Sequence, residues 1–109
     1  MIRHVVMWTF KAEAEGSYKQ TNLTWVRDSL LALRAIIPEI MQMDIGQDIG
    51  IGRDTWDMVL IMDFADADAL DRYQHHPDHK IISAFVAKAR DQRACVDFTI
   101  PDQPAPAVH

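Results

Sequence analysis

A chain of 109 residues, 49% hydrophobic and 25% charged, has the size and composition of one globular domain with a modest core. Its formal net charge of -5, with no run of Lys and Arg, argues against nucleic acid and anionic membrane as partners, since both call for a basic face. The single cysteine, Cys95, leaves no disulfide framework and no thiolate zinc site, and without a signal h-region or the ~20 apolar residues of a membrane span the expectation is a soluble cytoplasmic protein.

Ile2 to Phe10 is rich in β-formers and reads as a strand. Alternation puts Ile2, His4, Val6, Trp8 and Phe10 on one face and Val5, Met7 and Thr9 on the other, so the strand is apolar on both sides. The polar stretch from Lys11 to Ser17 bounds it. From Thr21 the period changes. Leu23, Val26, Leu30, Leu33 and Ile37 recur at steps of three and four, the pattern of one helix face, with Trp25, Ala32 and Ile36 widening the stripe. Pro38 ends the helix, because the residue before a proline is pushed out of the α region.

Ile40 to Asp48 reads as a weaker strand, and the glycines between Gly46 and Asp54 as loop chemistry. Trp56 to Phe64 is the strongest strand, with Met58, Leu60, Met62 and Phe64 on one face and Val59 and Ile61 on the other. Asp66 is the expected N-cap of a short helix through Leu70 and Tyr73, ending near His75 or His76. Pro77 then suits the first position of a second helix carrying Ile81, Ile82, Phe85, Val86 and Ala89. Arg93 to Ile100 is the last strand, with Ala94, Val96, Phe98 and Ile100 facing one way and Cys95, Asp97 and Thr99 the other. The domain is placed at residues 1–100, and Pro101, Pro104 and Pro106 mark 101–109 as an extended or disordered tail.

The order β-α-β-β-(α-α)-β predicts an α+β, ferredoxin-like βαββαβ fold with a four-stranded antiparallel sheet and helices on one face. In that topology the first and third strands are central, yet both are apolar on the face that the helices leave open. A second copy of the same sheet is the simplest cover, giving a homodimer with an interface of about 1,600 Å² or more.

Three of the five histidines lie in Tyr73-Gln74-His75-His76-Pro77-Asp78-His79, and His4 interrupts an apolar strand face. With Pro77 in the first turn, His79 sits near the positive end of the helix dipole, which lowers its pKa and keeps the imidazole neutral. A neutral imidazole is a general base near pH 7, and the Tyr73 hydroxyl could donate to a carbonyl oxygen. Base and phenol together are the minimum for removing a proton next to a carbonyl and holding the enolate. Spacing alone leaves the alternative open that Tyr73 is a core aromatic, that His4 is a satisfied core residue, and that the other histidines are helix-terminal surface residues. No metal site is expected, since the break at Pro77 spoils the helical spacing of His75, His76 and His79. Gly46, Gly50 and Gly52 precede a strand, not a helix, and form no phosphate cradle.

The opening Met1-Ile2-Arg3-His4-Val5-Val6-Met7-Trp8-Thr9-Phe10-Lys11, the strand Asp57 to Phe64, the run Ala69 to His79 and the closing Val96-Asp97-Phe98 resemble the stress-responsive A/B barrel (Dabb) domains. The tyrosine followed by His-Pro-x-His is the most specific part. The resemblance implies a dimeric α+β barrel, two protomers packed sheet to sheet, each with a pocket between its own sheet and helices. It also implies, from a plant polyketide cyclase of the family that works without cofactor, an acid–base pair at Tyr73 and His79, with His4 in the pocket wall. His76 matches the first motif histidine, and Trp8, His76, Leu60 and Met62 are the expected substrate contacts. The expected activity is that of a cofactor-independent lyase, cyclase or isomerase acting on a small hydrophobic, carbonyl or polyketide-like compound. The alternatives are a non-catalytic stress-associated barrel that binds hydrophobic ligands, or a cofactor-free monooxygenase.

Overall fold

The computed structural model describes residues 1–102. Its elements are β1 (Ile2–Phe10), β2 (Glu13–Ala14), β3 (Ser17–Tyr18), α1 (Lys19–Ile36), β4 (Gln42–Gln47), β5 (Met58–Phe64), α2 (Ala67–His75), α3 (Pro77–Ala89) and β6 (Arg90–Thr99). Four strands form one antiparallel sheet in the order β4-β5-β1-β6, so the fold is ferredoxin-like and β1 and β5 are central, as the strand pattern predicts. The proposed tail beyond residue 102, with Pro104 and Pro106, lies outside the described residues.

The polar stretch after β1 is more ordered than its composition suggests. Glu13 pairs with Tyr18 and Ala14 with Ser17, around Glu15 and Gly16 at φ of 53° and 76°. Positive φ at both turn residues is what a two-residue hairpin needs, and glycine supplies one of them without strain. The buried Asn22 of α1 donates from Nδ2 to the Ala14 carbonyl at 3.0 Å, which fastens the hairpin to the helix. The helix therefore starts at Lys19, ahead of the expected Thr21.

α1 buries Leu23, Val26, Leu30 and Leu33 against the sheet and closes where the Ile37 amide bonds the Leu33 carbonyl at 2.8 Å, just before Pro38. The apolar stripe is narrower than its residues imply. Trp25, Ala32 and Ile36 are exposed, and Trp25 stacks on Phe85 of α3 with ring centroids 4.2 Å apart. The two helices thus meet over the sheet through an aromatic pair at the rim. Beneath them lie Val6, Trp8 and Phe10 of β1 and Met58, Leu60, Met62 and Phe64 of β5. Each such side chain fully buried contributes about 1.5–3 kcal/mol relative to an exposed one.

Asp66 caps α2 as expected, accepting from the Ala69 amide at 2.8 Å. α3 follows after one residue. His76 is its N-cap, with Nδ1 accepting from the Asp78 amide at 3.1 Å, and Pro77 fills the first helical position. β6 begins at Arg90, ahead of the expected Arg93, because a register shift at Thr9/Phe10 lets Phe10 pair with Arg90.

The open face of the sheet is apolar and continuous. Val5 pairs with Ile61 on one side and Val96 on the other, and Met7 pairs with Val59 and Ala94. Val96 and Phe98 are 54% and 42% exposed in the single chain. On β6, then, the apolar residues face away from the helices, and Arg93, Cys95 and Asp97 share the face of His4. Among the described residues, no helix is long and apolar enough to cross a membrane.

Candidate functional site

A cavity of about 160 Å³ lies between the sheet and the helices. The sheet contributes His4, Val6, Trp8 and Leu60, α1 contributes Leu30, α2 contributes Tyr73 and Gln74, and α3 contributes His79, Ile82, Ser83, Val86 and Ala87. Arg90 and Arg93 of β6 complete the wall. Tyr73, His79, His4, Trp8 and Leu60 are therefore brought together from three separate stretches of sequence.

Two of the expected substrate contacts are not among the lining residues. Met62 is entirely covered, packed in the core as the cross-strand neighbour of His4. The His76 ring is occupied in capping α3, where its Nδ1 holds the Asp78 amide. Met62 is taken up by the core and His76 Nδ1 by the helix cap.

His4 is 4% exposed and its Nδ1 hydrogen-bonds the Asp97 carboxylate. A carboxylate can only accept, so Nδ1 carries the proton and Nε2 is left as the second, available nitrogen. His79 has the same polarity by a different device: its Nδ1 donates to the Gln74 carbonyl at 3.1 Å. Its Nε2 therefore holds the lone pair in the neutral ring. Burial lowers the pKa of His79 below its ordinary 6.5, opposed by the bond to Gln74 and aided by the charges of His4, Arg93 and His76. The direction is the one expected from the helix terminus, but the leading cause is burial.

Tyr73 is 1% exposed and packs between Phe64, with ring centroids 5.2 Å apart, and His79, at 4.4 Å. His4 meets it edge-on at 6.4 Å. Burial raises the Tyr73 pKa well above its ordinary 10, so the phenol keeps its proton and acts as a donor. The site thus pairs a neutral imidazole that can accept a proton with a phenol that can hold a developing oxyanion.

His75 stands apart, exposed on α2 with Nδ1 bonded to the Asp71 carbonyl at 2.9 Å and 3.2 Å from the Asp71 carboxylate. Among the described residues, His75, His76 and His79 form no metal-ligating group. His4, Cys95 and Asp97 do bring possible ligand atoms within 4.8 Å of one another, although His4 and Asp97 are already bonded to each other. Burial and the neighbouring Asp97 charge raise the Cys95 pKa, which disfavours the thiolate that a metal requires.

Asp97, Arg90, Arg93, Gln74 and Ser83 were not legible as site residues from spacing. The signal for Asp97 and Arg93 was parity: both share a β6 face, and antiparallel pairing sets Asp97 opposite His4 and Arg93 opposite Trp8. That parity acquires meaning only when the β1–β6 register is known.

Comparison with known proteins agrees with this architecture. Among curated proteins, none matches the chain by sequence. A dimeric protein of ferredoxin-like fold from Bacteroides fragilis superposes with a TM-score of 0.80 at 25% identity, covering 91% of this chain and 95% of its own. A dimeric ferredoxin-like protein from Thermobifida fusca gives 0.78 at 27% identity, covering 91% and 90%. A hydroxynitrile lyase from Passiflora edulis gives 0.78 at 16% identity, covering 95% and 96%, a likeness of fold. The model of the stress responsive A/B barrel domain matches residues 2–100, the whole length over which β1, the Tyr73 to His79 run and β6 assemble the cavity, and the chain belongs to that Dabb family.

Proposed function

We propose that the chain is a cofactor-independent lyase, cyclase or isomerase that moves a proton at a carbon next to a carbonyl. The observation that carries this reading is the meeting of Tyr73 and His79 in one cavity, with the His79 Nδ1 proton held by the Gln74 carbonyl. In the reaction, His79 Nε2 takes the proton from carbon, the C–H electron pair enters the enolate, and the Tyr73 hydroxyl donates to its oxygen. His4, fixed by Asp97, orients the carbonyl compound from the sheet side. The proton returns from His79 to carbon or to a leaving group.

Volume restricts the substrate. A cavity of about 160 Å³ is close to the roughly 150 Å³ that accommodates benzene in an engineered protein core. One aromatic ring or a short alkyl chain fits, and a longer polyketide-like chain would extend beyond this space. The Passiflora hydroxynitrile lyase is compatible with such a scaffold housing small-molecule catalysis, but fold alone does not choose the reaction.

The working unit in this reading is a homodimer. Val5, Met7, Val59, Ile61, Val96 and Phe98 form one apolar face that the helices do not cover, and the Bacteroides and Thermobifida relatives of the same fold are dimeric. Sheet-to-sheet packing at about 10 Å would cover that face.

Proton nuclear magnetic resonance in deuterium oxide tests the chemistry. Small aryl and alkyl ketones and aldehydes should exchange their α-protons faster with the protein than in buffer. His79→Ala should lose about 100-fold or more of that rate, and Tyr73→Phe a comparable share. Ligands that bind while exchanging no faster than in buffer would assign the chain to the non-catalytic, ligand-binding reading.

A further inference from the structure

The cavity is basic in an acidic protein. The chain has 16 Asp and Glu residues against 11 Lys and Arg, yet the cavity wall holds Arg90, Arg93, His4 and His79 and not one carboxylate. Among the described residues, Arg3, Arg27 and Arg72 each sit beside an acidic side chain, while Arg90 and Arg93, like Arg34 and Arg53 elsewhere, have no carboxylate within ion-pair distance; of these four, Arg90 and Arg93 are the two in the cavity wall. Asp97, which shares the β6 face of Arg93, is engaged with His4 Nδ1. Two further polar groups of the wall are donors. The Tyr73 phenol keeps its proton, and the buried Trp8 Nε1 has no partner among the described residues. Such a wall asks its ligand for acceptors and negative charge.

The charge is also placed at one end. Arg93 is exposed and Arg90 half-buried, whereas Trp8, Tyr73 and His4 are buried. The open end is therefore cationic and the closed end apolar and aromatic. A guanidinium binds a carboxylate through two parallel hydrogen bonds, and an arginine pair at a partly desolvated mouth is well suited to that group.

We propose that the cavity takes an oxo acid: a carbonyl compound with an apolar body of about one aromatic ring and a carboxylate held by Arg93 and Arg90. The proposal deepens the acid–base reading and rests on it for the position of the carbonyl near Tyr73 and His79, while the carboxylate subsite stands on the charge of the wall.

Isothermal titration calorimetry with two probes of the same body tests it. Phenylpyruvate carries ring, carbonyl and carboxylate; 1-phenylpropan-2-one carries ring and carbonyl alone. Wild type should bind phenylpyruvate at least about tenfold more tightly, in line with a charge-assisted hydrogen-bonded contact. Arg93→Gln should weaken phenylpyruvate about tenfold, Arg90→Gln/Arg93→Gln should abolish the preference, and the affinity for the ketone should stay within twofold throughout, which also checks the fold of the variants. Equal affinity for both probes overturns the proposal. So does failure of phenylpyruvate to bind, a preference that survives the double substitution, or an equal loss of both probes in the variants. Proton exchange is read separately. Charge-selective binding without α-proton exchange leaves the carboxylate subsite standing and removes the acid–base reading, and exchange with no charge preference does the reverse.

Discussion

His79 enters α3 in its first turn, and two local features decide its state. The Gln74 carbonyl takes the Nδ1 proton, and burial penalises the imidazolium. Its folded pKa therefore lies below 6.5, the ordinary value that the unfolded chain restores. Below that pH the unfolded state binds a proton that the folded state refuses, so stability falls as pH drops through 6.5 and levels off under the folded pKa. Urea unfolding of wild type and His79→Gln between pH 5 and 8 should show the variant with the shallower slope on the acid side. If His79 is the base, the acidic limb of kcat/KM for the preferred carbonyl compound should also fall below pH 6.5. A limb above 6.5 would give the titration to another group.

Element boundaries place the proposed acid–base pair. Tyr73 is positioned by α2, a nine-residue helix whose first turn depends on the Asp66 cap, and His79 by α3, whose start depends on His76 and Pro77. Helices this short draw little on cooperativity of their own, so the caps matter. Asp66→Ala should cost about 1 kcal/mol, read as a lowered midpoint in urea. Because Tyr73 rides on the same helix, that variant should also lose α-proton exchange beyond any loss in ligand affinity, and an unchanged rate would show that packing on Phe64 alone holds the ring. Asp66, Pro77 and the apolar period made these helices legible in the sequence. The hairpin of β2 and β3 was less so, because a two-residue strand has no period to detect and its turn relies on Glu15 at positive φ, which a non-glycine residue adopts only when its surroundings hold it there.

At the scale of the whole molecule, one sheet serves two purposes. Its helix side carries the cavity and its open side carries Val5, Met7, Val59 and Ile61, extended across β6 by Val96 and Phe98. Val5→Glu sets a charge in the middle of that open face, between Ile61 and Val96. The single chain tolerates it because Val5 is only half-buried there. Light scattering should then report half the mass of wild type, with the far-ultraviolet dichroism retained. A monomeric wild type at micromolar concentration would remove the dimer from the proposed function. The buried Asp63, held by Arg3 through bonds of 2.8 and 3.0 Å, lies near one border of the same face and keeps it from being uniformly apolar.

Alternation and helical period are local properties, and with the cap and proline signals they determined the order of the four long strands and three helices, the double-sided strands β1 and β5, and the helices that carry Tyr73 and His79. Local patterns carry this information because side-chain direction follows from backbone geometry within a few residues. The partners of those groups depended on contacts between distant segments. Asp97 reaches His4, and Arg90 and Arg93 reach the cavity, through a β1–β6 register that includes a shift at Phe10. Met62 and His76 are not among the residues lining the cavity for the same kind of reason, one being packed in the core and the other capping a helix. Residue type and spacing, together with the family resemblance, thus named Tyr73 and His79 as the candidate acid–base pair, and only the tertiary pairing of strands decided what surrounds it, because a one-residue change of register turns every side chain of a strand to the opposite face.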